Sequence, residues 1–95
     1  MKTTTFINYH AKRIASDMQA LCERRGYGIG EIGYNINEEL KDMEEFSGIP
    51  KSVAREIGYK VEEMLELAQE NDMTIRKPEY NSTLENANYE ELEVV

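Results

Sequence analysis

The amino-acid sequence predicts an all-α fold, a small three-helix bundle followed by a short extended and acidic tail. Apolar residues recur at intervals of three and four over three long stretches, the period of a helix with one buried face. Glycine-containing breaks separate these stretches. Because domains usually hold about 100–150 residues, the 95 residues are expected to form one domain. We assign residues 1–78 to this helical domain and residues 79–95 to a flexible acidic tail.

The first helix is predicted over residues 6–25. Thr4 or Thr5 is expected to cap its start, and the glycine that follows it suits the left-handed residue that ends many helices. His10 is expected at the surface or boundary of the helix, and Cys22 in the core as a small apolar residue. The predicted inward stripe comprises Ile7, Ala11, Ile14, Met18, Leu21 and Cys22.

Residues 26–34 contain four glycines and are predicted to form an irregular, Gly-rich connection. Residues 28–33 match the GxGxxG pattern of dinucleotide-binding loops. That pattern binds a pyrophosphate between a strand and a helix, whereas here it follows a helix, so we expect no phosphate site. The second helix is predicted to begin near Asn35, with Glu38 as its capping partner, and to end near Phe46.

The third helix is predicted to begin near Pro50, after a Ser-Gly pair that ends the second helix. Gly58 lies in its middle, where glycine costs up to about 1 kcal/mol, a cost that is tolerable if another helix packs closely there. Because a core of three such helices is marginal, self-association as a homodimer is also expected. The predicted inward stripe comprises Val53, Ala54, Ile57, Val61, Met64, Leu65 and Ala68.

Charge is distributed unevenly along the chain, whose net charge is -8. Residues 1–25 carry a net charge of +3, residues 26–60 of -3, and residues 61–95 of -8. Such a field repels nucleic acid over most of the surface and attracts basic partners, so we expect a basic protein partner and no direct binding of nucleic acid. One cysteine forms no internal disulfide, and no apolar run reaches the roughly 18 residues of a membrane span. We therefore expect a cytoplasmic protein without membrane contact.

Acidic residues on the second and third helices are candidate ligands for a divalent cation. Glu38, Glu39 and Asp42 lie within about one helical turn, and Glu56 lies on the next helix. If the two helices pair antiparallel, these carboxylates could converge on Mg²⁺, which prefers oxygen ligands and can activate a water for attack on a phosphoryl group. The alternative is that they form the solvated faces of amphipathic helices.

The sequence Glu-Glu-Leu-Lys-Asp at residues 38–42 resembles the E-E-x-x-E element of the all-α MazG-like nucleotide pyrophosphohydrolases. Glu-Ile-Gly-Tyr at residues 56–59 resembles their second element, E-x-x-D on the following helix. The resemblance covers residues 36–75 and implies a Mg²⁺-dependent nucleoside triphosphate pyrophosphohydrolase or an inactive relative. The metal ligands that it implies are Glu38, Glu39, Asp42 and Glu56. Two positions depart from the family, since Tyr59 replaces a metal-binding aspartate and Asp42 replaces a glutamate.

The interpretation that we favour is a non-catalytic binding protein that acts by stoichiometric contact and needs no cofactor. Carboxylates on a rigid helix can imitate the phosphates of nucleic acid and occupy the Lys/Arg surface of a nucleic-acid-binding protein. Phage anti-restriction and anti-CRISPR inhibitors are similar in composition. A helix-turn-helix over residues 46–55 is disfavoured, because six acids lie around its basic residues. The predicted partner-binding residues are Glu62, Glu63, Glu66, Glu70 and Asp72, supported by the acids of residues 85–93.

Overall fold

The part of the chain that the structure describes folds as three long helices and one short helix, which confirms the predicted all-α bundle. The computed structural model describes residues 1–88, 90 and 92. The helices are α1 (Thr3–Arg25), α2 (Ile29–Ser47), α3 (Lys51–Glu70) and α4 (Ser82–Glu85). Among the described residues, no helix is long and apolar enough to cross a membrane.

Helix α1 is the centre of the fold and contacts each of the other helices. At about 100° per residue, its buried side chains extend over more than half of the helix circumference. One side of α1 packs against α2 and α3, and the other is covered by the chain that follows α3. The buried residues of α1 are Phe6, Ile7, Tyr9, His10, Ala11, Ile14, Ala15 and Met18.

Three expectations for α1 are wrong. The helix already begins at Thr3, so Thr4 and Thr5 lie inside its first turn rather than at its cap. Cys22 is exposed, because it lies near the end of α1 at the rim of a surface groove. His10 is buried, with 3% of its surface exposed, because residues far along the chain cover it. The predicted end is confirmed, since Gly26 follows Arg25 with a φ of 63° and donates to the Cys22 carbonyl at 3.1 Å.

Helix α2 begins at Ile29, six residues before Asn35, where the sequence predicts its start. The backbone N–H of Gly28 donates to Glu31 Oε2 at 2.9 Å, so Glu31 rather than Glu38 closes the N-terminus. Asn35, the predicted cap, lies inside the helix and donates its side-chain amide to the Glu31 carbonyl at 2.7 Å. The Gly-rich connection is therefore only three residues long, from Gly26 to Gly28.

Helix α3 buries the inward stripe that its periodicity predicts. Ala54, Ile57, Val61 and Ala68 are buried, and the other members of the stripe pack partly buried against the core. A Cβ atom added to Gly58 would lie 3.1 Å from Leu40 Cδ1 of α2, so α2 packs closely against α3 at this glycine.

The chain after α3 returns along α1. The Gln19 side chain donates to the Met73 carbonyl at 2.8 Å and accepts from the Ile75 N–H at 2.7 Å, as a neighbouring strand would. Beyond Pro78, one turn of helix forms at α4, and Ala87 and Leu92 join the core with 1% and 8% exposure. The described part of the predicted tail thus packs against the domain. Its flexibility stays a prediction, and Glu91 and Glu93 lie outside the described residues.

Of the three helical glycines, Gly33 and Gly58 should respond differently to substitution. Nothing lies within 4 Å of a Cβ at Gly33, so Gly33→Ala should raise the free energy of unfolding by roughly 0.5–1 kcal/mol. Gly58→Ala should gain less because Leu40 must shift, and Gly58→Leu should lose about 1–3 kcal/mol by overpacking. Urea unfolding measures all three variants. A Gly58→Leu variant as stable as the parent would show that α2 and α3 do not approach closely there.

Candidate partner-binding surface

A row of carboxylates runs along the exposed face of α3. Glu62, Glu63, Glu66 and Glu70 are all exposed, and at 100° per residue they fall within an arc of about 100°. Glu62, Glu66 and Glu70 lie on successive turns, so their Cα atoms are separated by about 6 Å along the axis. The helix therefore presents the four predicted residues together, and we call them the acidic row.

The acidic row is not neutralised within the chain. Among residues 1–88, 90 and 92, none of its four carboxylates lies within ion-pair distance of a lysine or arginine. The last turn of α3 also lacks basic residues. Glu66 repels both Glu62 and Glu70 at i,i+4 spacing, and Glu70 also lies in the last turn at the negative end of the helix dipole, and both effects oppose helix formation. The acidic row thus lowers the stability of the helix that carries it.

Asp72, the fifth predicted residue, adopts a backbone conformation that is unusual for a side chain other than glycine. Its φ is 50°, in the left-handed region. The Met73 N–H donates to the Ala68 carbonyl at 2.8 Å and the Asp72 N–H to the Gln69 carbonyl at 3.4 Å, the pattern of a Schellman motif. Glycine is the usual residue at this position, so Asp72 adds both strain and a further negative charge at the end of α3.

A groove lies beside the acidic row, between the first half of α2 and the second half of α3, and we call it the α2–α3 groove. Its volume is about 790 Å³. Ile29, Ile32 and Ile36 form one wall, and Leu65 lies on the other wall between Glu62 and Glu66. Ile29 is 94% exposed. Glu62, Glu66 and Asp72 thus face the groove, whereas Glu63 and Glu70 are not among its lining residues.

The four residues implied as metal ligands are not brought together. Glu38, Glu39 and Asp42 line a second groove against α1, where Arg24 and Arg25 also lie. Glu39 pairs with Arg13 at 3.6 Å. Glu56 is exposed on α3 and does not line that groove. Within the described residues, no group of three or more His, Cys, Asp or Glu side chains is arranged to hold a metal ion.

A polar cluster that the sequence did not predict joins α1 to the chain around α4. His10 Nε2 lies 2.9 Å from the Leu84 carbonyl, which can only accept, so Nε2 carries the proton. His10 Nδ1 therefore accepts from Arg13, whose Nε lies 3.3 Å away. Arg13 also pairs with Glu85 at 3.6 Å, and Tyr9 Oη accepts from the Asn81 N–H at 3.3 Å. The cluster fixes the returning chain on the second side of α1.

The environment of His10 disfavours its charged form. Burial lowers the pKa of His10, and the positive charge of Arg13 lowers it further. The hydrogen bond to the Leu84 carbonyl and the charge of Glu85 act in the opposite direction but do not outweigh burial. A neutral imidazole is also the form that accepts from Arg13, so hydrogen bonding and the pKa agree. A histidine so enclosed has a structural role in joining α1 to α4.

Comparison with protein-family models, with curated proteins and with solved structures finds no match to the chain. The resemblance of residues 36–75 to MazG-like pyrophosphohydrolases therefore remains a prediction from its two short motifs. The candidate surface is described by its own geometry alone.

The pKa of His10 predicts a pH dependence of stability. Because the folded chain binds a proton at His10 less readily than the unfolded chain, whose histidine pKa is about 6.5, the stabilisation is complete above that pH. It is lost as the pH falls from about 6.5 toward the lower pKa of the folded chain. Urea unfolding at pH 7.5 and 5.5 should show a smaller change for His10→Gln than for the parent. An identical change in both proteins would contradict the assignment.

Proposed function

We propose that the protein is a non-catalytic binding protein that occupies the basic surface of a nucleic-acid-binding partner and excludes its nucleic acid. The observation that carries this proposal is the acidic row, four exposed and unpaired carboxylates on one face of α3. A rigid helix holds them in fixed positions, so binding a partner costs little ordering of the backbone. This is the mode of action of a stoichiometric inhibitor or regulator, as in phage anti-restriction and anti-CRISPR proteins.

The spacing of the acidic row supports imitation of a phosphate backbone. Carboxylates on successive turns of α3 lie about 6 Å apart along the axis. Along one strand of duplex DNA, consecutive phosphates rise by about 3.4 Å and also turn around the axis, so the direct distance between neighbours is roughly twice the rise. A row of lysines and arginines that contacts consecutive phosphates can therefore contact Glu62, Glu66 and Glu70 with little adjustment.

The stability cost of these acids is a second argument for a binding role. Mutual repulsion and the helix dipole oppose the acidic row, and the left-handed backbone adds strain at Asp72. Residues that lower stability are typical of functional surfaces, where binding replaces the lost interactions. An acidic surface that served only solubility would not need to place like charges on successive turns of one helix face.

Charge reversal separates these two roles. The triple variant Glu62→Lys, Glu63→Lys and Glu66→Lys should weaken partner binding at least tenfold and raise the melting temperature of the free protein, since a lysine at position 66 attracts Glu70 instead of repelling it. Affinity capture from a cell lysate, followed by elution with rising salt and with excess duplex DNA, measures partner binding. The bound proteins should elute under both conditions. Thermal unfolding measures the change in melting temperature.

The matched control reverses three exposed acids outside the row and the groove. These are Glu38, Glu45 and Glu79, whose replacement by lysine changes the net charge by the same amount. The control should retain partner binding within about threefold. An equal loss of partner binding in both triple variants would mean that net charge alone determines binding. Retention of the partner that is insensitive to salt would contradict the proposal.

The non-catalytic role also predicts an outcome for nucleotides. Neither the parent nor Glu39→Gln should hydrolyse any nucleoside triphosphate with Mg²⁺, and magnesium should not change the melting temperature of the parent. Glu39 pairs with Arg13, so its substitution should affect stability only slightly. Hydrolysis by the parent that Glu39→Gln abolishes would replace our proposal with the pyrophosphohydrolase interpretation.

A further inference from the structure

The α2–α3 groove has the shape of a binding site for one more helix. Ile29, Ile32 and Ile36 follow one another at i, i+3 and i+7 along α2. Residues 62, 65, 66 and 69 have the same kind of spacing along α3, so both walls are ridges of helical period. A helix packs against two neighbours by placing its own ridge between theirs, at interaxial distances of about 8–10 Å.

Gly33 leaves a gap in the wall that α2 contributes. It lines the groove, and a Cβ built on it would meet nothing within 4 Å. Glycine in the middle of a helix opposes helix formation, but it allows an apolar side chain of an incoming helix to approach the α2 backbone. Gly30, one turn earlier, has equally open surroundings but does not line the groove. The two glycines therefore form a matched pair for experiment.

The charge of the groove defines the chemistry of its occupant. Among the described residues that line it, four are acidic and none is a lysine or arginine. The acidic residues are Glu23, Glu62, Glu66 and Asp72. An apolar α2 wall opposite an acidic α3 wall is complementary to a helix with one apolar stripe and lysines or arginines beside it.

We propose that the α2–α3 groove binds a basic amphipathic helix of the partner protein. This inference rests on the proposed function, since Glu62 and Glu66 belong to both surfaces, and it specifies which element of the partner is bound. The apolar stripe of that helix lies against Ile29, Ile32 and Leu65, and its basic flanks contact the glutamates. A second copy of the chain is a poor occupant, because α2 has six acidic residues and one basic residue and would bring like charge to the groove.

The test uses a synthetic 18-residue helical peptide with leucines at i, i+3, i+4 and i+7 and lysines on the flanks. A peptide of the same composition with the leucines scattered around the helix is its control. The designed peptide should bind the full-length protein at least tenfold more tightly than the scrambled one, as measured by fluorescence anisotropy. Cys22 is exposed at the groove and is the only cysteine, so its alkylation should slow when the designed peptide is bound.

Two variants show where the peptide binds. Gly33→Leu should fill the gap and weaken the designed peptide at least tenfold, whereas Gly30→Leu should leave its affinity within twofold of the parent. Because nothing crowds either site, both variants should remain folded, and thermal unfolding checks this. Sedimentation of the protein alone, with and without Gly33→Leu, detects a second copy in the groove.

Three results would overturn the inference. Equal, salt-sensitive binding of both peptides would mean that charge alone is recognised, and it would leave the acidic row and the proposed function intact. The designed peptide could also fail to bind while partner capture still depends on Glu62 and Glu63. That result would reject the α2–α3 groove as a helix-binding site and leave the proposed function intact. A dimer that Gly33→Leu dissociates would assign the groove to a second copy of the chain.

Discussion

The burial of α1 on both of its sides is the constraint on which the rest of the structure depends. Its first side packs against α2 and α3, and its second side would expose Tyr9 and His10 if the chain ended with α3. The returning chain covers that second side and is held by hydrogen bonds to Tyr9 and His10. A buried imidazole needs a partner for each nitrogen, and the Leu84 carbonyl and Arg13 supply them.

This arrangement gives the molecule two different surfaces. The chain that follows α3 closes one side of α1 and is held there by hydrogen bonds to His10 and Gln19. The α2–α3 groove, in contrast, keeps Ile29 almost fully exposed and is bordered by carboxylates without ion-pair partners in the described chain. Like-charge repulsion in the acidic row and the left-handed backbone of Asp72 both lie at this second surface. A bound partner would compensate them there.

The structural features that depend on the local sequence pattern could be predicted from the sequence. The three helices and the acidic row follow from a periodicity of 3.6 residues and could be predicted from the sequence. The start of α2 could not be predicted from the sequence. The low helix propensity of Gly30 and Gly33 argues against a helix there, although isoleucines at helical spacing continue its buried face. His10 and the groove depend on contacts between segments distant in the chain. An accessible Cys22 and a buried His10 both reverse what their residue types predict in isolation.

The central claim is that the acidic row and the α2–α3 groove form the binding surface. Hydrogen exchange measured with mass spectrometry tests this claim most directly, on the protein alone and on the protein saturated with a basic amphipathic peptide. Our account predicts slower amide exchange in the first half of α2 and the second half of α3, with no change in residues 78–88. Slower exchange confined to the chain around α4 and the first turns of α1 would contradict it. In that case the binding surface would be the side of α1 that the returning chain covers.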